Sequence, residues 1–244
     1  MGKHRVKIGA LVGMGPNSTA PFYECLMESA RRLYGAVDDE DFPYFVMISL
    51  PTPFKVSGSL DHSAMIESLK RGIIDLNRCE NVVHQYFDEM KAIASVPMVS
   101  LLEVVIASLK ESCDRRGGIP AILATESTIQ SRVYQNAFTS HALEFFHSRE
   151  LQLCVNQLLS ELKMHGLSDL AKLRWQATLD CVRKADCTSV ILACTDLSVC
   201  LQGRCVEDLT FFDSGNLLAE HTIKCYMELV KTLGAKDDPS FFKK

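Results

Sequence analysis

The stretch Val6-Lys7-Ile8-Gly9-Ala10-Leu11-Val12-Gly13-Met14-Gly15-Pro16-Asn17-Ser18-Thr19 decides the fold class. Val6 to Val12 is apolar, with a valine at each end, and runs straight into glycines, the pattern of a buried strand. Asn17, Ser18 and Thr19 follow as helix N-cap candidates, and Pro21 suits a first helical turn. Strand, tight turn and helix thus follow one another, with the helix expected to reach about Tyr34. The same grammar repeats downstream. Tyr44 to Leu50 predicts a second strand, ended by Pro51-Thr52-Pro53. Pro97 to Leu101 predicts a third, followed by helix to about Arg115. Arg116-Gly117-Gly118 turns the chain into a fourth strand, Ile119 to Ala124. Helices are expected at about 127–138, 150–165 and 169–185, strands at Thr188 to Ala193 and Leu209 to Phe212, and a closing helix at 214–233. Strands separated by helices imply βαβ units and parallel sheets, an α/β protein. The glycine turn at 117–118 marks the expected boundary between two small domains, residues 1–115 plus 213–244 and residues 116–212. Ligands in such folds sit beyond the carboxyl ends of the strands.

Composition narrows the class. The 244 residues include 26 Lys+Arg against 30 Asp+Glu, a net charge of -4, and 47% are hydrophobic. These are globular proportions, and a chain of this size can build a core without disulfides or metals. The mild acidity argues against nucleic acid as a partner, which would call for a basic face. No run of about 18 apolar residues would span a bilayer. The basic opening Met1-Gly2-Lys3-His4-Arg5 leads into a short apolar run that stops at glycine, unlike a secretory leader. Ten cysteines in that setting read as reduced thiols of a cytoplasmic protein.

Three segments carry candidate chemistry. The Gly13–Thr19 turn, with Met14 and Gly15, opens a helix and can present backbone N–H groups to an anion. It lacks the Gly-Lys-Ser/Thr of a phosphate loop and is no dinucleotide fingerprint, so a plain strand–helix turn is the competing reading. Ala193-Cys194-Thr195-Asp196-Leu197-Ser198 places Cys194 just past an apolar strand, where a following helix N-terminus would lower the thiol pKa. A buried structural cysteine is the alternative. Cys181, Cys187, Cys194, Cys200 and Cys205 contain no Cys-x-x-Cys pair, which speaks against zinc. Ala124-Thr125-Glu126-Ser127-Thr128 again ends a strand and opens a helix, with hydroxyls that either hold a carboxylate or simply cap.

Together these segments resemble the aspartate/glutamate racemase superfamily. Ile8-Gly9-Ala10-Leu11-Val12-Gly13-Met14-Gly15-Pro16, with Thr19 and Phe22-Tyr23, is similar to its opening signature. Ala124-Thr125 with Thr128, Ser131 and Tyr134-Gln135 resembles its middle motif. Leu192-Ala193-Cys194-Thr195-Asp196-Leu197 resembles its second cysteine motif, with Asp196 where the family usually has Glu. Phe212-Asp213-Ser214 with Leu218-Ala219 resembles its closing segment. The resemblance implies two flavodoxin-like parallel-sheet domains with the active site in the cleft between them, no cofactor, and a homodimer. It implies racemisation of a small acidic amino acid, aspartate or glutamate, with a cysteine on each face of Cα: one thiolate removes the proton and the opposite thiol returns one. It assigns Cys194 as one acid/base and places Met14, Gly15, Asn81, Thr125, Thr128 and Thr195 in the substrate site. Lys55 and Lys163 lie near its two cationic positions.

The first cysteine motif departs from the family. Leu76-Asn77-Arg78-Cys79-Glu80-Asn81-Val82-Val83-His84 stands where the family has an apolar strand and then Pro-Cys-Asn-Thr-x-His. Alignment on Asn81 and His84 puts Glu80 at the catalytic position; alignment on Cys79 displaces Asn81. Ile66, Leu69, Ile73, Leu76, Val83, Phe87, Met90 and Ala94 recur in helical steps broken only by Glu80, so helix is expected across 61–94, about 50 Å of it, with no strand before Cys79. A rival reading keeps two helices with a link at Asn77–Asn81. Two further functions compete with two-base racemisation. One is an inactive or one-base homologue resembling a decarboxylase or isomerase; the other is a small-anion binding module without chemistry.

Overall fold

The computed structural model describes residues 6–13, 18–50, 52, 61–77, 98–116, 118–201 and 206–234. The chain divides into two compact units, residues 1–100 with 218–244 and residues 101–217.

In the first unit, strand β1 (Lys7–Val12) is followed by helix α1 (Thr19–Tyr34), strand β2 (Tyr44–Ser49) and helix α2 (His62–Asn77). β1 and β2 pair in parallel, with Lys7 opposite Tyr44 and Val12 opposite Ser49. The period of two sends successive β1 side chains to opposite faces. Val6 and Ile8 pack with Leu26 and Ala30 of α1 and with Ala219, Ile223 and Tyr226. Leu11 packs on the other face with Met65, Leu69, Ile73 and Leu76, the buried stripe of α2. This double burial is why the strand is apolar throughout rather than alternating. Gly72 lets α2 approach β1: a Cβ there would come within 2.7 Å of a Leu11 methyl. Gly13, at φ +93°, turns the chain away from β1 where any side chain would strike Ser49 and the Leu50 backbone. α1 ends in the same way at Gly35, whose left-handed backbone returns its N–H to the Arg31 carbonyl.

The second unit holds helix α3 (Leu101–Arg116), strand β3 (Ala121–Leu123), helices α4 (Glu126–Gln130), α5 (Val133–Ser140), α6 (Arg149–His165) and α7 (Asp169–Lys184), strand β4 (Ser189–Leu192), a 3-10 turn at Thr195–Leu201, strand β5 (Thr210–Asp213) and the start of helix α8 (Ser214–Gly234). The strands run parallel in the order β3-β4-β5, and Phe146 adds a parallel bridge to Ala121. One face of this sheet packs against α6 and α7 through Leu151, Val155, Leu158, Trp175, Leu179 and Val182. The other face packs against α3 and α5 through Val105, Ile106, Leu109, Tyr134 and Phe138. Both units are thus parallel sheets with helices on their faces, the α/β architecture the element order predicts.

Several local expectations change. Residues 98–100 form no strand, because Leu101 and Leu102 are drawn into α3 and its packing on the second sheet. The same packing moves the boundary: α3 belongs with residues 101–217, whereas the glycine turn pointed to 115/116. The closing boundary falls at 217/218 instead of 212/213. The single helix expected at 127–138 is two, broken where Arg132 takes a left-handed backbone, φ 57°. The expected helix across 61–94 is present as α2 up to Asn77, so no strand leads into residue 78; its remainder, 78–94, lies outside the described residues. No helix among the described residues is long and apolar enough to cross a membrane. Cys25, Cys154, Cys181, Cys187, Cys194, Cys200 and Cys225 are free thiols.

Candidate active site

Parallel pairing brings the carboxyl ends of β3, β4 and β5 to one edge of the second sheet. Leu123 lies opposite Leu192, and Leu192 opposite Asp213. Thr125 and Cys194, each two residues beyond that row, therefore leave the sheet at the same level. The ladder continues past the strands: Ala193 N donates to the Leu123 carbonyl at 2.9 Å, and Ser214 Oγ donates to the Leu192 carbonyl at 2.7 Å. Asp213, buried, accepts from the Gly215 and Asn216 N–H groups at 3.0 and 3.3 Å and so caps α8. The first two bonds fix the backbone that leads into Cys194.

Thr125 caps α4, accepting the Thr128 N–H at 3.2 Å. Its hydroxyl also meets Thr128 Oγ1 at 2.8 Å and Ser127 Oγ at 3.0 Å, so three part-buried hydroxyls share one cluster. The turn is held from behind. Gln152, buried on α6, donates to the Ala124 carbonyl at 3.0 Å and to Asn156 at 2.8 Å, and Asn156 in turn donates to the Glu126 carboxylate at 3.0 Å. Capping and ligand holding are compatible here, since hydroxyls both donate and accept.

Cys194 keeps part of its surface open to solvent but is densely surrounded. Burial, and then the Asp196 carboxylate, push its thiol up to about 12; the backbone N–H groups of Asp196 and Leu197 and the Lys163 ammonium pull the other way. This overturns the expectation of a lowered thiol pKa. A 3-10 turn, not an α-helix with its aligned dipoles, follows the strand, and removal of water outweighs the donors that remain. Lys163 lies in the last turn of α6 with its Nζ 3.9 Å from Asp196. It is thus drawn toward the cysteine turn rather than left on a solvated helix face. Thr195 follows Cys194 directly and packs where Gly215 leaves room: a Cβ on Gly215 would come within 3.3 Å of the Thr195 methyl.

The structure therefore brings Cys194, Thr195, Thr125 and Thr128 to one sheet edge, with Lys163 reaching Asp196 beside it. Met14, Gly15, Lys55, Cys79, Glu80, Asn81 and His84 lie outside the described residues. Ser214 and Gln152 brace the site without having been singled out as site residues by sequence. Ser214 stood in a quoted motif, whereas Gln152 gives no local signal because its partner is a carbonyl 28 positions away. Among the described residues no three His, Cys, Asp or Glu side chains gather into a metal-binding group.

Comparison with known proteins bears on the family and the fold. The Asp/Glu/Hydantoin racemase family model matches residues 11–222. The broad specificity amino-acid racemase RacX of Bacillus subtilis (strain 168) is 31% identical over 229 residues, which span 90% of this chain and 98% of that protein. Among solved structures, the aspartate racemase of Picrophilus torridus has a TM-score of 0.73 at 20% identity, covering 90% of this chain and 94% of its own. The glutamate racemase isoform RacE1 of Bacillus anthracis has a TM-score of 0.61 at 15% identity, covering 96% and 84%. At these identities the two structures speak for the fold alone. The family match runs from β1 into α8, through both strand ends that carry Thr125 and Cys194, and the chain belongs to the Asp/Glu/hydantoin racemase family, a family of isomerases.

Proposed function

We propose that this protein racemises a small acidic amino acid, aspartate or glutamate, by cysteine acid–base proton transfer at Cα without a cofactor. The observation that carries the reading is Cys194 at the carboxyl end of β4, level with the Thr125–Ser127–Thr128 hydroxyls and beside the Lys163–Asp196 pair. A substrate carboxylate is a match for those hydroxyls and that ammonium. As the Cα proton leaves, the carboxylate gains enolate character, and donors already aimed at it stabilise the added charge. A thiol held near 12 is protonated at neutral pH, so Cys194 enters as the acid that returns a proton. To act as base in the reverse direction it must first lose that proton, helped by Lys163 and the two backbone N–H groups. Cys79 or Glu80 is proposed as the second proton-transfer group, and Met14, Gly15, Asn81, Thr195 and Lys55 as further substrate contacts. A cytoplasmic homodimer acting on a free amino acid is the setting this reading implies.

A second reading is supported by one observation. α2 remains helical up to Asn77, so the apolar strand that precedes the first cysteine in the family is absent at that point. A one-base homologue, with Cys194 working alone, follows if nothing replaces it. The experiment follows the α-proton of L- and D-aspartate and glutamate in D₂O with wild type, Cys194→Ser, Cys79→Ser and Glu80→Gln. Exchange with inversion, lost in Cys194→Ser and in one of the other two variants, supports two-base racemisation and names the second group. Exchange without inversion that survives both Cys79→Ser and Glu80→Gln selects the one-base reading. Absence of exchange with all four substrates rejects acidic amino-acid racemisation.

A further inference from the structure

Helices α6 and α7 pack as an antiparallel pair, and their facing side chains are tied at three levels. Nearest the turn between them, Ser168 Oγ donates to Glu161 Oε1 at 2.6 Å. Further along, Arg174 donates to the Gln157 carbonyl and stands 3.8 Å from the Glu161 carboxylate. Beyond that the two helices meet through sulfur: Cys154 Sγ lies 3.6 Å from Cys181 Sγ, across 27 positions of chain. Both thiols are half-buried, so solvent and small reagents reach them, whereas Cys187 and Cys200 are buried. Cys181 packs at the edge of the core that α6 and α7 build on the second sheet. Glu150, one turn before Cys154 on α6, holds its Oε1 4.0 Å from Cys181 Sγ, so a proton acceptor stands beside the pair. Neither the family motifs nor the candidate site uses these two cysteines.

We propose that Cys154 and Cys181 form a reversible redox site, a dithiol that closes to an internal disulfide when a small-molecule disulfide supplies the oxidising power. A disulfide holds its sulfurs about 2.05 Å apart, and the gap that remains from 3.6 Å lies within the sweep of a sulfur turning about its Cα–Cβ bond. The exchange runs in two steps. The Cys154 thiolate attacks one sulfur of the small disulfide and its S–S bond breaks; one half stays on Cys154 as a mixed disulfide, and the other leaves as a thiolate and takes up a proton. Cys181 then passes its proton to the Glu150 carboxylate, attacks the Cys154 sulfur and displaces the second half, which leaves as a thiolate and takes that proton. Two protein thiols are oxidised to one disulfide, and one small disulfide is reduced to two thiols. Burial, then Cys154, then Glu150 push Cys181 up to about 11, with Lys184 pulling the other way, which suits Cys181 to the second, resolving step. In a reducing compartment the pair stays open, and it closes as the disulfide pool grows. The bridge fastens α6 to α7, and α6 also carries Gln152 and Asn156, which hold the Thr125 turn.

The test incubates the whole folded chain in glutathione buffers of rising oxidised fraction. Acid stops the exchange, iodoacetamide blocks the remaining thiols, and mass spectrometry maps the peptides without reduction. The expected product is a peptide pair joined through Cys154 and Cys181 that returns to two thiols on addition of dithiothreitol. It should form before Cys25, Cys194 and Cys225, half-buried like the pair, take up glutathione. Cys181→Ser should form no joined pair and should trap Cys154 as its mixed disulfide with glutathione. The thermal midpoint of the oxidised wild type should rise by several degrees, because the closed loop restricts the unfolded chain, and that of Cys181→Ser should show no such rise. Separate glutathione adducts on Cys154 and Cys181 in the wild type overturn the proposal. So does a pair that stays open to alkylation after Cys25 and Cys225 have reacted, or a joined pair that lowers the midpoint. No step involves Cys194 or an amino acid, so the outcome is independent of whether the protein racemises its proposed substrate.

Discussion

At the scale of single residues, Cys194 is governed by a contest between water removal and nearby charge. Asp196 raises its pKa and Lys163 lowers it. Asp196→Asn removes a raising influence, so more thiolate exists at any given pH and alkylation of Cys194 should accelerate several-fold. Lys163→Met removes a lowering influence and should slow it. Peptide-resolved alkylation rates at pH 9 measure both signs, and equal rates in wild type and both variants would show that neither group reaches the sulfur. Position just past an apolar strand was enough to single out Cys194 in the sequence. Its ionisation was not legible there, because burial comes from the cluster that α6, α7 and β3 build around it, far away along the chain.

At the scale of elements, close approach and apolar periodicity set the tolerances. Gly13 combines a left-handed backbone with contacts to Ser49 and Leu50 that a methyl group would violate. Gly13→Ala should cost about 2 kcal/mol or more, since conformational strain and backbone overlap act together. Urea denaturation measures it, and a midpoint equal to wild type would mean that the turn relaxes freely. Ile73 is fully buried in the stripe that α2 lays on β1. Ile73→Ala should cost about 2–5 kcal/mol, the transfer loss plus the cavity left behind. Its neighbour Ile74 is 58% exposed, and Ile74→Ala should cost about 0.5 kcal/mol or less. The steps of three and four that predicted α2 also predicted which of these isoleucines is buried. The break within 127–138 was not predicted, because the tie between Gln135 Nε2 and the Ile129 carbonyl forms only once the chain has turned at Arg132.

For the whole molecule, the shifted thiols and phenols point in one direction. Cys194 is pushed up to about 12 and Cys181 to about 11, and Cys187, Cys225, Tyr34, Tyr134 and Tyr226 are also raised, each chiefly by burial. For such groups the unfolded chain ionises first. Above the ordinary thiol range near pH 9 the unfolded state binds fewer protons than the folded one, so stability falls as pH rises. Below that pH the contribution is constant. The urea midpoint, measured under reducing conditions, should hold between pH 7 and 8.5 and drop steadily from pH 9 to 11. Cys194→Ser should flatten part of that drop, and a midpoint flat to pH 11 would contradict it. The lowered carboxylates, Asp169, Asp208 and Glu220, sit at or near the surface in exposed ion pairs and add little on the acid side.

The sequence by itself determined the alternation of buried strands and amphipathic helices, and with it the α/β class, because burial on both faces of a parallel sheet requires runs that are apolar throughout. It also determined where the candidate site residues leave their strands, since Thr125 and Cys194 each follow an apolar run directly. Only the tertiary structure decided that these two leave at the same level, because the pairing of Leu123 with Leu192 joins segments about seventy residues apart. It alone assigned α3 to the second unit, through Val105, Ile106 and Leu109 packing on Ile122 and Phe212. It alone surrounded Cys194 so that burial raises its thiol instead of a helix N-terminus lowering it. Register, burial and electrostatic environment are properties of segments in contact, and they come into being only when the chain has folded.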